Sequence, residues 1–153
     1  MRTITAIILI SISLIIPVLA QQSEQYETTA QQKVRFAPLH IYIDSGNRAL
    51  AAYQFELKTI AGQVKIIGIE NGEHPAFSEP PYYDPAALAN DRIIIAAFST
   101  DKNLPKGRTR ITSIQLQIIG DTEPQYEIEL TVAADTNGNE IPAKITLEKG
   151  EQK

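Results

Sequence analysis

The sequence contains no cysteine, no tryptophan, one methionine and two histidines. Without cysteine there is no disulfide, no thiolate metal site and no cysteine nucleophile. His40 and His74 lack a His or carboxylate partner at zinc-ligand spacing. No Gly-x-Ser-x-Gly elbow marks a nucleophilic serine. An excess of positive charge is also missing. The 14 Lys and Arg against 18 Asp and Glu give a net −4, the wrong sign for a nucleic acid or an anionic membrane. These gaps point away from an enzyme and from any cofactor or metal. What remains is ordinary globular composition, 43% apolar and 21% charged, which excludes a disordered acidic or collagen-like chain. The 153 residues allow one domain rather than two.

The first 20 residues read as an export signal. Arg2 supplies one positive charge, an apolar run follows to Ile16, Pro17 breaks it, and Val18-Leu19-Ala20 sets small residues before a cleavage point. The run from Thr3 to Ile16 is shorter than the roughly 20 apolar residues of a membrane span. Residues 1–20 are therefore expected to be a signal peptide cut between Ala20 and Gln21, giving a secreted or periplasmic protein. Ala20 is followed by Gln21 and not by Cys, which removes a lipoprotein anchor. Losing 20 of 153 residues and the charge of Arg2 leaves 133 residues at −5. Residues 21–33 are polar, Gln-rich and aperiodic, and read as a flexible tether. An edge strand through Tyr26-Glu27-Thr28-Thr29 is the alternative. An exported domain without disulfides must hold by packing alone.

Residues 34–153 carry strand after strand. Leu39, Ile41 and Ile43 alternate to one face, and Asp44-Ser45-Gly46-Asn47 is a turn cluster. Tyr53, Phe55 and Leu57 face inward, with Gln54, Glu56 and Lys58 outward. Ala61-Gly62 turns into a strand ending at Asn71-Gly72, a strong turn signal. Residues 73–90 hold four prolines and must be mostly loop, with one or two helical turns capped by Asp84 and begun by Pro85. Arg92 to Ser99 is continuously apolar, which suggests burial on both faces or a central position. The odd step from Ile111 to Ile114 predicts a bulge near Thr112-Ser113. Tyr126, Ile128, Leu130 and Val132 alternate inward, and Ile145 and Leu147 form a last inward pair. Each strand has one apolar face to cover. A two-sheet antiparallel β-sandwich, jelly-roll or immunoglobulin-like, is the predicted fold, with a small barrel as runner-up.

The order of these features resembles the cohesin domains and the related carbohydrate-binding β-sandwiches. The resemblance rests on Ala51-Ala52-Tyr53-Gln54-Phe55-Glu56-Leu57, the strand from Val64 to Gly72, the apolar strand Ile93 to Phe98, Leu104-Pro105-Lys106-Gly107, and Arg110 to Ile118. It covers about 110 residues, from Leu39 to Leu147. A Tyr-Asp-Pro-x-x-Leu segment that cohesins often place after the aromatic strand stands later here, as Tyr83-Asp84-Pro85-Ala86-Ala87-Leu88. The resemblance implies a divergent cohesin-like interaction module without enzymatic activity. The expected partner is another protein, with a polysaccharide as the alternative. The shortage of Trp and outward Tyr ranks protein above sugar.

Two segments remain as candidate sites. Asp135-Thr136-Asn137-Gly138-Asn139-Glu140 spaces its oxygens like a calcium loop, but the glycine and glutamate positions of such a loop hold Glu140 and Thr146. A hairpin turn at Asn137-Gly138, joining the last two strands, is the expected reading. His40 is expected on an outward strand face, and Asp84 and Asp91 as cap and turn acids rather than a catalytic pair. The second segment, Phe77-Ser78-Glu79-Pro80-Pro81-Tyr82-Tyr83-Asp84, puts three aromatics in a stretch stiffened by prolines. Phe77, Tyr82 and Tyr83 are its candidate binding residues. The alternative is that Phe77 and one tyrosine plug the end of the core. Adjacent side chains of an extended stretch point opposite ways, so one of Tyr82 and Tyr83 should be exposed.

Overall fold

The structure, a computed structural model, describes residues 32–151. The expected signal peptide, and the expected tether up to residue 31 with its alternative strand at Tyr26–Thr29, lie outside the described residues. Eight strands follow in order: β1 (Val34–Asp44), β2 (Ala52–Ala61), β3 (Gln63–Glu70), β4 (Tyr82–Tyr83), β5 (Arg92–Phe98), β6 (Arg108–Ile119), β7 (Gln125–Ala134) and β8 (Lys144–Lys149). They form two four-stranded antiparallel sheets, ordered β3-β6-β1-β8 and β4-β5-β2-β7. This is the sandwich that the alternation predicts, and not a barrel. Only the β4–β5 connection stays within one sheet; the other six cross between sheets. Register is therefore set by what each strand buries rather than by hairpins.

The two inner faces meet as the sequence pattern requires. Leu39, Ile41 and Ile43 of β1, with Ile111, Ile114, Leu116 and Ile118 of β6, pack against Tyr53, Phe55 and Leu57 of β2 and Ile93 and Ile95 of β5. The expected bulge is present one residue early. Ile41 pairs with Thr112 but Tyr42 pairs with Arg110, so Ile111 is the extra residue. That step lets Ile111 and Ile114 both point inward.

Three expectations are corrected. β5 is not buried on both faces: Ile93 and Ile95 are buried, whereas Ile94 is 43% exposed, because nothing among the described residues covers the outside of this sheet. Its position between β4 and β2 is interior to the sheet, as the apolar run suggested. Val132 points outward, 42% exposed. A bulge at Thr131 reverses the phase of β7, since Phe55 pairs with Leu130 but Gln54 with Val132. Thr131 Oγ1 donates to the Gln54 carbonyl at 3.1 Å, which holds the bulge. Gly72, just past β3, is glycine because a Cβ there would lie 2.9 Å from the Arg110 and Ile111 carbonyl oxygens. Finally, the Asn137-Gly138 turn forms, with Gly138 at φ +77°, but it pairs Ala134 only with Glu140. The chain then crosses to the other sheet, so β7 and β8 are not hairpin partners.

A clamp closes one end of the sandwich. Glu123, between β6 and β7, accepts from Lys149 Nζ of β8 at 2.6 Å and from Arg35 Nη2 of β1 at 2.7 Å. Lys149 first, then Arg35, holds the Glu123 carboxyl below its ordinary range. Burial, with the Glu123 charge second, pushes the neighbouring Tyr126 phenol up to about 12.

Two outcomes follow from this packing. Phe55→Ala should cost about 3–5 kcal/mol, because a fully buried ring leaves a cavity. Gln54→Ala, on the outer face of the same strand, should stay within about ±0.5 kcal/mol. Urea titration of both variants checks this, and equal losses would reverse the facing of β2. The clamp has a pH signature. The folded Glu123 carboxyl is depressed, so its stabilisation is fully present above the ordinary glutamate value of about 4.3 and is lost as pH falls through the lowered value. Glu123→Gln should lower stability at neutral pH and flatten the fall in Tm toward acid. An unchanged acid slope would show that the clamp contributes nothing.

Candidate functional site

The proline-rich loop is built from its backbone outward. His74 Nδ1 accepts from the Ala76 N–H at 3.1 Å and caps the single 3₁₀ turn Pro75–Phe77. The Phe77 carbonyl accepts from the Gly72 N–H at 2.8 Å. Phe77 is 3% exposed and meets Tyr53 edge-on, with ring centroids 5.1 Å apart. It therefore plugs the core and is not available to a partner, as the alternative reading of the loop held. After Pro80 and Pro81, Tyr82 and Tyr83 add a two-residue edge strand, pairing with Ala96 and Ile95. Tyr83 leans onto the core. Tyr82 points away from it and is 68% exposed. Asp84 then accepts from the Ala86 N–H at 2.9 Å and caps a second 3₁₀ turn, Pro85–Ala89, as its sequence predicts.

Across the outside of the β4-β5-β2-β7 sheet the pairing sets up rows of side chains. One row runs Tyr82, Ala96, Gln54, Val132; the next, toward one end, is Phe98, Ala52, Ala134. In the other direction come Ile94, Glu56, Glu129 and then Arg92, Lys58, Glu127. The first two rows are apolar apart from Gln54, and the other two are charged apart from Ile94. Phe98 is 66% exposed and lies nearly parallel to Tyr82, with centroids 6.1 Å apart and an interplanar angle of 10°. A groove lies on each side of the Tyr82 ring. One, of about 640 Å³, runs over Ile94 and Ala96 beside Asp84 and Asp91. The other, about 270 Å³, lies between the Pro75–Phe77 turn and Phe98 and includes Glu79 and Asp101.

The remaining sequence candidates are in structural roles. Asp135 Oδ1 accepts from the Asn137 and Asn139 N–H groups at 2.9 and 3.0 Å. Those bonds, Asn139 foremost, hold its carboxyl below the ordinary range. Among the described residues no three His, Asp or Glu side chains are grouped to hold a metal ion. The Asp91 carbonyl accepts from the Thr59 N–H at 2.7 Å, a turn role. His40 sits half-buried on an outer strand face, with Nδ1 2.8 Å from Ser113 Oγ. Ser113 is buried and already accepts from Arg110 Nη1 at 2.8 Å, an arrangement that knits β1 to β6.

Comparison with known proteins found no matching family model, no matching curated protein and no matching solved structure.

Sequence reading found Tyr82 but not Phe98, Ile94 or Val132. A signal for the first two was present. An alternating strand that carries apolar residues in both phases, Ile93 and Ile95 against Ile94 and Phe98, displays one of the two sets wherever its sheet is uncovered.

The division of the loop into plug and display is testable by stability alone. Phe77→Ala should cost about 3–5 kcal/mol as a core truncation. Tyr82→Ala should cost no more than the stacking with Phe98, about 0.5–1.5 kcal/mol. Similar losses in thermal and urea unfolding would place Tyr82 in the core.

Proposed function

We propose that this chain is an exported, non-enzymatic, cohesin-like interaction module that binds another protein through the outer face of its β4-β5-β2-β7 sheet. The observation that carries this reading is an apolar patch on that face: two large rings, Tyr82 and Phe98, and two aliphatic side chains, Ile94 and Val132, open to solvent in adjoining rows. Contiguous apolar surface of this kind marks interaction sites in soluble proteins. Aromatic anchors supply most of the affinity at protein interfaces. Prolines on both sides of Tyr82-Tyr83 reduce the conformational entropy a partner would have to remove. The resemblance to cohesins supports the same class of function. A second reading, a carbohydrate-binding module, is favoured by the nearly parallel, exposed Tyr82 and Phe98 rings, which suit the flat face of a sugar. Protein ranks first because Ile94 and Val132 offer a sugar no hydrogen bonds.

The test sets the two ligand classes side by side. The immobilised protein is offered extracellular proteins of its source organism, and in parallel the soluble protein is offered insoluble polysaccharides. A protein partner should be retained, and Tyr82→Ala or Phe98→Ala should each weaken it by about 1–2 kcal/mol or more. Retention on polysaccharide, lost in the same variants, would replace this reading with the second. Protein capture that ignores both substitutions would move the interface to another surface.

A further inference from the structure

The charges around the Tyr82–Phe98 pair specify what kind of protein surface fits there. Seven ion pairs join the described residues, and only Arg92–Glu56 lies on this outer face. That pair is bidentate, at 2.5 and 2.6 Å, so the one guanidinium beside the larger groove is already taken. Glu79 and Asp101 on one side of Tyr82, and Asp84 and Asp91 on the other, are exposed and have no cationic partner among the described residues. The opposite sheet shows how this chain completes an aromatic ring beside carboxylates. There Arg108 lies over the Tyr42 ring, 3.6 Å from its centroid, and donates to Glu148 at 2.6 Å. Tyr82 and Phe98 have the ring and the acids but no such cation among the described residues.

We infer that this face takes a basic, arginine-bearing segment of a partner protein, with a guanidinium laid against the Tyr82–Phe98 rings and the exposed carboxylates of Glu79, Asp84, Asp91 and Asp101 flanking it on either side. An apolar side chain next to that arginine fills the groove over Ile94 and Ala96. The inference rests on the protein-binding reading above. Arginine is favoured over lysine because its planar, weakly hydrated cation stacks on aromatic faces and donates in a fork. The four carboxylates also steer a cationic segment toward the site before contact.

The experiment titrates the purified, isotope-labelled protein with short peptides that share one central leucine and differ only in their flanks: arginine, glutamine or glutamate. Backbone amide shifts report both affinity and place. The arginine peptide should shift Tyr82, Ile94, Ala96 and Phe98 and bind about tenfold tighter than the glutamine peptide. That advantage should shrink as added salt shortens the Debye length from roughly 30 Å to 8 Å. Combining Glu79→Gln, Asp84→Asn, Asp91→Asn and Asp101→Asn should erase the advantage and leave the glutamine peptide unaffected. Asn keeps the cap at position 84, and an unchanged amide spectrum elsewhere verifies the fold. Equal binding of arginine and glutamine peptides at this face would overturn the charge inference while leaving the protein-binding reading intact. Shifts confined to another surface, or none with any peptide, would overturn it as well. Shifts at Tyr82 and Phe98 with a soluble oligosaccharide alone would remove both readings together.

Discussion

A phenol buried at the centre of a sandwich must find an acceptor, and the one Tyr53 finds ties the molecule together. Tyr53 projects from β2, crosses the core and donates to the Ile111 carbonyl at 3.2 Å. Ile111 is the bulged residue of β6, so the hydroxyl of one sheet is seated on the irregularity of the other. Burial holds the Tyr53 phenol far above its ordinary range, so it remains a donor at any physiological pH. The same ring stacks beside Phe55 and receives the edge of Phe77. Tyr53 thereby fixes the distance between the sheets and also the start of the proline-rich loop. With Phe77 anchored there and Tyr82 paired to Ala96, little freedom remains in where the Tyr82 ring emerges. The exposed site inherits its position from a buried hydrogen bond on the other side of the sheet.

What the sequence makes legible is the facing of strands whose two phases differ chemically. β1 and β2 alternate without ambiguity, and the odd step in β6 betrays its bulge because Ile111 and Ile114 cannot share a face otherwise. The bulge at Thr131 leaves no such trace. Leu130 and Val132 keep their spacing, and Ala133, small enough for either face, conceals that the phase has changed. β5 is ambiguous for the opposite reason, since both of its phases are apolar. β4 has two residues and no period to read. The turn residues mark where the chain bends but not toward which sheet, so Asn137-Gly138 predicts a turn correctly and its partner strands wrongly. The candidate site was half visible for the same reason. Tyr82 stands out by its prolines, whereas the continuous apolar run that holds Ile94 and Phe98 reads as core.

The two outer faces spend their charge differently. On the β3-β6-β1-β8 sheet, Arg108 reaches Glu148 and covers Tyr42, while Arg110 donates to Ser113 and to the Asn71 carbonyl. On the other sheet, like charges stand directly across strands: Glu56 opposite Glu129, and Lys58 opposite Arg92. Such pairs are mildly destabilising, and the Arg92–Glu56 fork and the opposition of Lys58 to Glu127 relieve part of it. The acids and rings left unmatched there are those a basic partner would match.

One of the two edges of that same sheet, β4, is poorly suited to strand pairing. β4 is a two-residue edge strand, preceded by Pro80-Pro81 and followed by Asp84-Pro85. Proline has no N–H to offer an incoming strand, and a very short edge strand gives it little to pair with. Strand addition beside β4 is thus discouraged by the residues that stiffen the loop. The prolines serve two ends at once. They hold Tyr82 in an extended conformation beside Phe98, and they blunt the edge next to it. At the β4 edge a partner would therefore meet side chains of the outer face rather than sheet backbone, and side chains carry the information, ring, aliphatic and carboxylate, by which one partner is distinguished from another.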